Sequence, residues 1–305
     1  MKLNEVFRIE AISKSAHFFG TDSDDNQCII LKVDYKKKPA NIKKRDILQV
    51  DFITSLHVAI DQKEFKDKFC IIRCLNKNFL MSEYFKVFGE KTANDYPDRI
   101  KSNEIIKRLD IVHELFNVSK NNSNNEIGLW GELVCIYASE DPEFMLKCWH
   151  SEKEQTWDFV DGKRILEVKT YTGSERKHKF NFKQLNSEVC KTMIVASVYT
   201  LIHDNGLTIF DLKNMIKERL KDINLIEKLN RIFIDTIGNS FSFEEARKFS
   251  LEQSLSHSLL VSGALVPKIH NSSVIDEGVS GISFTSLIEH LPPIENSENK
   301  FSKIF

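Results

Sequence analysis

The sequence predicts a mixed α/β protein whose amino-terminal region is rich in strands, and three observations support this fold class. Residues 1–75 contain short runs of isoleucine, valine and phenylalanine separated by turn-forming residues, which is the pattern of short strands. The residues after 125 alternate helical and strand patterns, as in a sheet covered by helices. The length of 305 residues fits two domains, or one core domain with a large appendage.

The amino-terminal elements follow from residue types and spacing. Apolar side chains at helical spacing predict a helix over 79–88 that stops at Gly89, and a second amphipathic helix over 105–116. The polar run Ser119–Asn125 is the clearest linker in the chain. Strands are predicted over Phe7–Ile12, Cys28–Asp34, Ile47–Ile53 and Phe69–Leu75.

Beyond the linker, the dipeptide Asn205-Gly206 predicts a type I′ hairpin that leads back into Leu207–Phe210. A helix over about 211–220 is expected to follow. The elements before this hairpin are a helix (126–139), two strands joined by a tight turn (156–171), a basic loop, a helix (181–191) and an apolar strand (192–202).

These elements divide the chain into four parts. The parts are a β-rich region (1–100), a helix with a linker (101–125), an α/β core (126–215) and a carboxy-terminal extension of helices and strands (216–305).

The composition excludes several classes of protein. Hydrophobic residues make up 41% of the chain, which is enough for a packed core. The 43 Lys and Arg against 44 Asp and Glu give a net charge of −1, which speaks against a generically basic nucleic-acid binder. The longest apolar run, 193–202, is shorter than the ~18–20 residues of a membrane span, and the first residues lack an apolar signal segment. We therefore expect a cytoplasmic protein without a membrane partner.

One predicted hairpin collects residues that suggest chemistry. Side chains alternate faces along a strand, so Glu167 and Lys169 point to the same side. Pairing Val160 with Ile165 places Asp158 directly opposite Glu167, whereas a two-residue loop makes the two acids diagonal neighbours. In either register the two carboxylates share one face and lie roughly 5–8 Å apart.

Two adjacent carboxylates raise each other's pKa unless a cation neutralises them. Oxygen ligands favour Mg²⁺, and such a site can hold a water molecule against a phosphodiester while Lys169 orients that water. The pattern E-x-K occurs four times in the chain and is therefore weak by itself. The upstream aspartate, the turn and the apolar alternation of the second strand distinguish Glu167. The alternative interpretation is an exposed hairpin with salt bridges.

The helix predicted over 126–139 adds a further acid. Gly128 and Gly131 in its first turns cost about 1 kcal/mol each relative to alanine, which suggests close packing against another backbone. Glu132 borders the buried stripe and could be a further metal ligand. The alternative is a surface glutamate beside a packing glycine.

A basic stretch follows the hairpin. Residues 169–191 carry a local net charge of about +4, which suits the phosphate backbone of a nucleic acid. A solvated basic loop is the alternative. Gln184 opens the next predicted helix and could orient a substrate, although an ordinary helix-surface residue needs no such role. The candidate DNA-binding residues are Arg176, Lys177, His178, Lys179 and Lys183.

These residues resemble the PD-(D/E)XK nuclease superfamily, whose restriction-endonuclease-like core has a mixed central sheet flanked by helices. They are most similar to a bacterial PD-(D/E)XK family found beside restriction-modification and phage-defence genes. The resemblance is strongest over 126–215, and Trp157 stands where the superfamily name has proline. The matching motifs are Gly128-Leu129-Trp130-Gly131-Glu132-Leu133, Asp158-Phe159, Glu167-Val168-Lys169 and Gln184-Leu185.

The resemblance implies a Mg²⁺-dependent DNA endonuclease, with Mn²⁺ as a substitute cation and DNA as the substrate. The alternative is an inactive nuclease-fold module that binds DNA or a methyltransferase or ATPase subunit. The intact set of two acids and a lysine favours the enzyme, and a homodimer would suit symmetric double-strand cutting. The implied metal ligands are Asp158, Glu167, the Val168 backbone carbonyl and Glu132; the implied catalytic lysine is Lys169, the auxiliary acid Glu132 and the supporting residue Gln184.

Overall fold

The chain folds into two compact units in a computed structural model. One unit comprises residues 1–121 with 226–242, and the other comprises 122–225 with 243–305. The predicted carboxy-terminal extension, 216–305, is therefore divided between the two units. The structure describes residues 8–44, 47–60, 63–116, 123–150, 155–162, 164–187, 192–238, 241, 243–270 and 281–294.

A sheet that contains seven strands among the described residues dominates the first unit. Its spatial order is β1-β2-β3-β6-β5-β4, and β7 joins β3 in parallel. The other neighbouring strands pair antiparallel, which confirms the β-rich amino-terminal region. The strands are β1 (Arg8–Ala11), β2 (Phe18–Thr21), β3 (Gln27–Asp34), β4 (Ile42–Lys44), β5 (Leu48–Ile60), β6 (Lys63–Cys74) and β7 (Ile100–Lys101).

Two helices of this unit, α1 (Phe79–Asp95) and α2 (Ser102–Phe116), follow the sheet. The predicted stop at Gly89 is wrong, because α1 continues through it. A Cβ at Gly89 would lie 2.5 Å from the Phe19 ring and 3.0 Å from Ile29. The glycine therefore serves close helix–sheet packing and does not end the helix.

The second unit contains a mixed sheet of β8 (Phe159–Asp161), β9 (Arg164–Tyr171), β11 (Met193–Tyr199) and β13 (Leu259–Ser262). The spatial order is β13-β11-β9-β8, with β9 and β11 parallel and the outer pairs antiparallel. A separate antiparallel pair is formed by β10 (Lys177–Asn181) and β14 (Ser283–Leu287). Strand β12 (Ile202–Leu207) forms isolated bridges to Phe249.

Helices flank this mixed sheet, so the predicted fold class is confirmed. They are α3 (Ser123–Ala138), α4 (Pro142–Cys148), α5 (Phe182–Asn186), α6 (Ile209–Lys217) and α8 (Leu251–Ser256). The long helix α7 (Ile223–Ile237) then leads into the first unit, where Glu227 forms an ion pair with Lys91. None of the helices in the described ranges has both the length and the apolar character needed to cross a membrane.

Three predicted features of the second unit need correction. Residues 119–122 of the predicted linker lie outside the described residues, and Ser123–Asn125 form the start of α3. The predicted helix over 181–191 ends early, because α5 stops at Asn186. The basic segment before it is not a continuous loop, since Lys177–Asn181 form β10.

The predicted hairpin at Asn205-Gly206 is also wrong. Strand β12 runs through both residues, and α6 begins at Ile209 with the Thr208 side chain as its N-cap. A Cβ at Gly206 would lie 2.4 Å from the Phe249 carbonyl oxygen. Close approach of two backbones, and not a turn, therefore explains this glycine.

Candidate functional site

The β8–β9 hairpin places the first two candidate residues. Val160 pairs with Ile165, as in the first predicted register, and the turn contains Gly162 with φ of 56°. Asp158 directly precedes β8, and its Oδ2 accepts a hydrogen bond of 2.7 Å from the Val168 backbone N–H. This bond ties the aspartate to the strand that carries Glu167.

Glu167 lies at the centre of the site with only 2% of its surface exposed. Its Oε1 lies 2.7 Å from the Lys169 Nζ and also accepts a hydrogen bond from the Gln184 amide. Its Oε2 is buried and has no hydrogen-bond partner among the described residues. The Oε2 of this carboxylate can therefore accept a hydrogen bond or contact a cation.

Gln184 is held rigidly, which explains how a helix residue reaches the site. Its Oε1 accepts from the Asn181 N–H at 3.0 Å, forming a capping box at the start of α5. Its Nε2 donates to the Thr156 carbonyl at 3.2 Å as well as to Glu167. Trp157, which stands at the proline position, donates from Nε1 to the Gln184 carbonyl at 3.1 Å.

Helix α3 delivers Glu132 because it packs closely on β9. A Cβ at Gly131 would lie 2.5 Å from the Thr170 Oγ1 and 3.2 Å from the Val168 Cγ1, so the predicted close packing is confirmed at this glycine. It is wrong at Gly128, where a Cβ would meet nothing within 4 Å. Gly128 instead lines the cavity beside Glu132.

Sequence reasoning missed His150, which follows α4 and carries no motif. The Glu132 Oε2 accepts a 2.6 Å hydrogen bond from the Trp149 Nε1 and lies 3.0 Å from the His150 Nε2. Donor atoms of Glu132, His150 and Asp158 all lie within 4.8 Å of one another. Only the long-range pairing of Trp149 with Phe159 brings the histidine to this place, and no local sequence signal reports that pairing.

The predicted catalytic and metal-binding residues converge on one cavity of about 510 Å³. A larger cavity of about 600 Å³ in the same unit contains none of them, so chemistry and not size identifies this site. Its lining includes Glu132, Asp158, Glu167, Val168, Lys169 and Gln184.

The electrostatics of the two buried acids are unfavourable without a further cation. Burial raises the pKa of Asp158 well above its ordinary value, and the charges of Glu167 and Glu132 raise it further. Burial also raises the pKa of Glu167, although Lys169 and Gln184 partly offset this effect. Among the described residues that line the cavity, three carboxylates face the amine of Lys169 as their cationic partner.

This donor set fits a divalent cation. Asp158, Glu167 and Glu132 offer carboxylate oxygens, and Val168 lines the same cavity. The unpartnered Glu167 Oε2 is the kind of buried acceptor that a hard cation satisfies. These four residues are therefore the ones that could hold the ion.

The structure separates the five candidate DNA-binding residues into two groups. His178 is buried with its Nε2 2.7 Å from the Ser197 Oγ, and burial lowers its pKa to about 4. The Arg176 guanidinium lies over the Tyr171 ring at 5.1 Å and donates to Ser197 at 3.2 Å. Both side chains are thus engaged in contacts within the fold. The exposed group comprises Lys177, Lys179 and Lys183.

Comparison with known proteins agrees with the motifs. The model of the family described as "Putative PD-(D/E)XK family member" matches residues 4–289, a range that includes every candidate site residue. No curated protein and no solved structure matches the chain significantly. PD-(D/E)XK nucleases usually use divalent metal ions, in keeping with the acidic cavity. The chain belongs to this PD-(D/E)XK family and is a nuclease-like protein.

Proposed function

We propose that the protein is a Mg²⁺-dependent deoxyribonuclease that hydrolyses phosphodiester bonds in DNA, with Mn²⁺ as a substitute cation. The observation that carries the proposal is the convergence of Asp158, Glu167 and Lys169 in one cavity whose buried carboxylates outnumber their cationic partner. Burying carboxylates without full compensation costs several kcal/mol, and a module that only binds DNA gains nothing from that cost.

Asp158, Glu167, Glu132 and the Val168 carbonyl would hold the cation. When bound, the cation supplies Lewis-acid activation of water and neutralises charge that develops on the phosphodiester.

Lys169 contributes the positive charge of the chain itself. Its Nζ is held 2.7 Å from the Glu167 Oε1 and 3.5 Å from the Gln184 Oε1, so the amine is positioned before substrate arrives. From there it can donate hydrogen bonds to the attacking water and to a phosphate oxygen. Groups positioned in advance in this way typically contribute about 10²–10³-fold to a rate.

Glu132 and Gln184 act around this centre. Gln184 fixes the Glu167 carboxylate through its amide, and its own amide is fixed from two sides. Glu132 is the auxiliary acid, anchored through its Oε2 by Trp149. Gln184 therefore orients Glu167, whereas Trp149 holds Glu132 in place as a ligand.

The exposed lysines Lys177, Lys179 and Lys183 are the proposed contacts to the DNA backbone. Lys177 and Lys179 point to the same side of β10 because side chains alternate along the strand, and both are exposed. Neutralising phosphates with lysine makes binding weaken as salt rises. The buried His178 and the engaged Arg176 are left out of this set.

The proposed setting is bacterial restriction or phage defence in the cytoplasm, and it rests on the resemblance of the motifs to that family. The proposed partners are DNA, a second copy of the chain, and methyltransferase or ATPase subunits of the same system. Apart from DNA, none of these partners is needed for the first test of the site.

The test is cleavage of supercoiled plasmid DNA in Mg²⁺, with EDTA as the metal-free comparison. We expect cleavage by the wild type and a loss of about 100-fold or more for Asp158→Ala and Lys169→Ala. Lys221→Ala is the matched control, because it removes an exposed lysine of the same unit that is not among the proposed DNA contacts, and it should retain most activity. Equal cleavage by all four proteins would overturn the site. DNA binding without cleavage in any cation would instead favour an inactive module.

A further inference from the structure

We propose that His150 is the nitrogen ligand of a second cation position, which it forms with Glu132 and Asp158 and which prefers Mn²⁺ and similar transition-metal ions to Mg²⁺. The inference deepens the proposed function, because Asp158 and Glu132 would be shared with the oxygen-ligand position beside Glu167. It concerns a residue outside the motifs that carry the family resemblance.

The first support is geometric. The three donor atoms come from α3, from the segment after α4 and from the residue before β8, yet all lie within 4.8 Å of one another. The Glu132 Oε2 and the His150 Nε2 are 3.0 Å apart. Ligands around one cation with bonds of about 2.1 Å lie roughly 3–4 Å from each other, so this spacing suits a shared ion.

The second support is the way in which the histidine is fixed. The His150 backbone N–H donates to the Asp158 carbonyl at 2.9 Å, and its φ of 40° lies in the left-handed region. The preceding Trp149 is fully buried and donates to the Glu132 Oε2 at 2.6 Å. Trp149-His150 therefore holds two candidate ligands in place. A backbone hydrogen bond from His150 fixes Asp158, and a side-chain hydrogen bond from Trp149 fixes Glu132, as outer-shell partners of metal ligands do.

A further observation comes from the neighbouring oxygen-ligand position, which shares Glu132 and Asp158 with the proposed one. Glu167 lines one cavity together with Glu132 and Asp158, and it is 2% exposed. Its Oε2 has no hydrogen-bond partner among the described residues. The Lys169 amine and the Gln184 amide thus satisfy the Oε1 of Glu167 and leave its Oε2 as an acceptor without a donor among the described residues.

The donor set determines the class of ion. Carboxylates and water suit Mg²⁺ and Mn²⁺ alike, whereas an imidazole nitrogen favours transition metals over Mg²⁺. A position with one imidazole and two carboxylates should therefore bind Mn²⁺ more tightly than Mg²⁺. Mn²⁺ is also a useful probe, because it is paramagnetic and reports directly on nitrogen ligands.

The experiment combines pulsed electron paramagnetic resonance with calorimetric titration of Mn²⁺ and Mg²⁺. His150→Gln keeps a polar side chain near Glu132 but removes the imidazole. The matched control is His203→Gln, which replaces an exposed histidine on β12 of the same unit. We expect ¹⁴N coupling from a histidine in the wild type and in the control, and none in His150→Gln. We also expect Mn²⁺ affinity to fall about tenfold in His150→Gln, while Mg²⁺ affinity stays within about twofold.

Persistent nitrogen coupling in His150→Gln, or an unchanged Mn²⁺ affinity, would overturn the proposal. Labelling the wild-type histidines with ¹⁵N keeps the test independent of the folding of the variant. If Mn²⁺ binds the wild type but its nitrogen coupling does not change with the ¹⁵N label, the proposal is also contradicted. The proposed function fails separately, because a protein that binds Mn²⁺ through His150 but never cleaves DNA would support the ligand and refute the nuclease.

Discussion

Two clusters of charge among the described residues, a buried one in the first unit and a partly buried one in the second, are stabilised in different ways. In the first unit Arg73 lies between Asp22 and Asp51, and all three are at most 8% exposed. In the second unit Asp158, Glu167 and Glu132 gather around Lys169. Each cluster has more acids than bases, so the count of charges alone does not separate them.

Hydrogen bonding separates them. Asp51 accepts from the Asn41 and Gln49 amides at 2.8 and 2.9 Å. Burial raises the pKa of Asp22, but hydrogen bonds from Asn26 and the backbone together with the charge of Arg73 outweigh burial and hold it below its ordinary value. In the second unit the pKa values of Asp158 and Glu167 are raised, because burial and mutual repulsion exceed the compensation. The fold therefore compensates the charges of the first cluster, whereas it leaves carboxylates in the second whose charge a cation could neutralise.

The largest expected effect is the contrast between Asp51→Asn and Asp158→Asn in metal-free protein. Asp51→Asn takes a charge partner from the buried Arg73 and should lower the free energy of unfolding by about 3 kcal/mol. Asp158→Asn removes a repelled carboxylate, so we expect a change within about 1 kcal/mol or a gain in stability. Urea unfolding in EDTA measures both. Equal destabilisation by the two variants would show that the clusters do not differ.

The next effect is stabilisation by the cation itself. Mg²⁺ at about 100 times its dissociation constant should raise the free energy of unfolding by about 2.7 kcal/mol, because it binds the folded state. Glu167→Gln should abolish this gain, since it removes a charged ligand, and Asp51→Asn should retain it. Thermal unfolding with and without Mg²⁺ gives the result. A gain that survives Glu167→Gln would place the ion elsewhere.

The smallest effect concerns the two glycines of α3. Gly131→Ala should destabilise the protein by about 1–2 kcal/mol, because its Cβ would press on Thr170 and Val168. Gly128→Ala should stabilise it by up to about 1 kcal/mol, since that Cβ meets nothing and alanine favours the helix. Denaturant unfolding of the two variants is the measurement. Similar changes for both would mean that close packing of α3 on β9 does not place Glu132.

The parts of the site that could be predicted from the sequence are local ones. The pairing of Val160 with Ile165 follows from side-chain alternation around a tight turn, and it sets Asp158 against the strand of Glu167. The predicted helices and the family motifs both indicated Glu132 and Gln184, which line the same cavity.

The parts that could not be predicted depend on contacts between distant segments. The sequence predicted a helix stop at Gly89 and a turn at Gly206. Instead, Gly89 packs closely against Phe19 and Gly206 against the backbone of Phe249, and no local pattern reports these contacts. His178 reads as a surface cation within a basic run, yet the pairing of β10 with β14 and a hydrogen bond to Ser197 bury it. Burial of a side chain is decided by the partner strand, and the partner lies far along the chain.

The central claim is that the unbalanced carboxylates of the second unit form a divalent-cation site. Calorimetric titration of Mg²⁺ into the wild type, Asp158→Asn and Asp51→Asn tests it most directly. We predict saturable binding in the wild type and in Asp51→Asn, and loss of that binding in Asp158→Asn. Unchanged binding in Asp158→Asn, or no binding to the wild type, would contradict the claim.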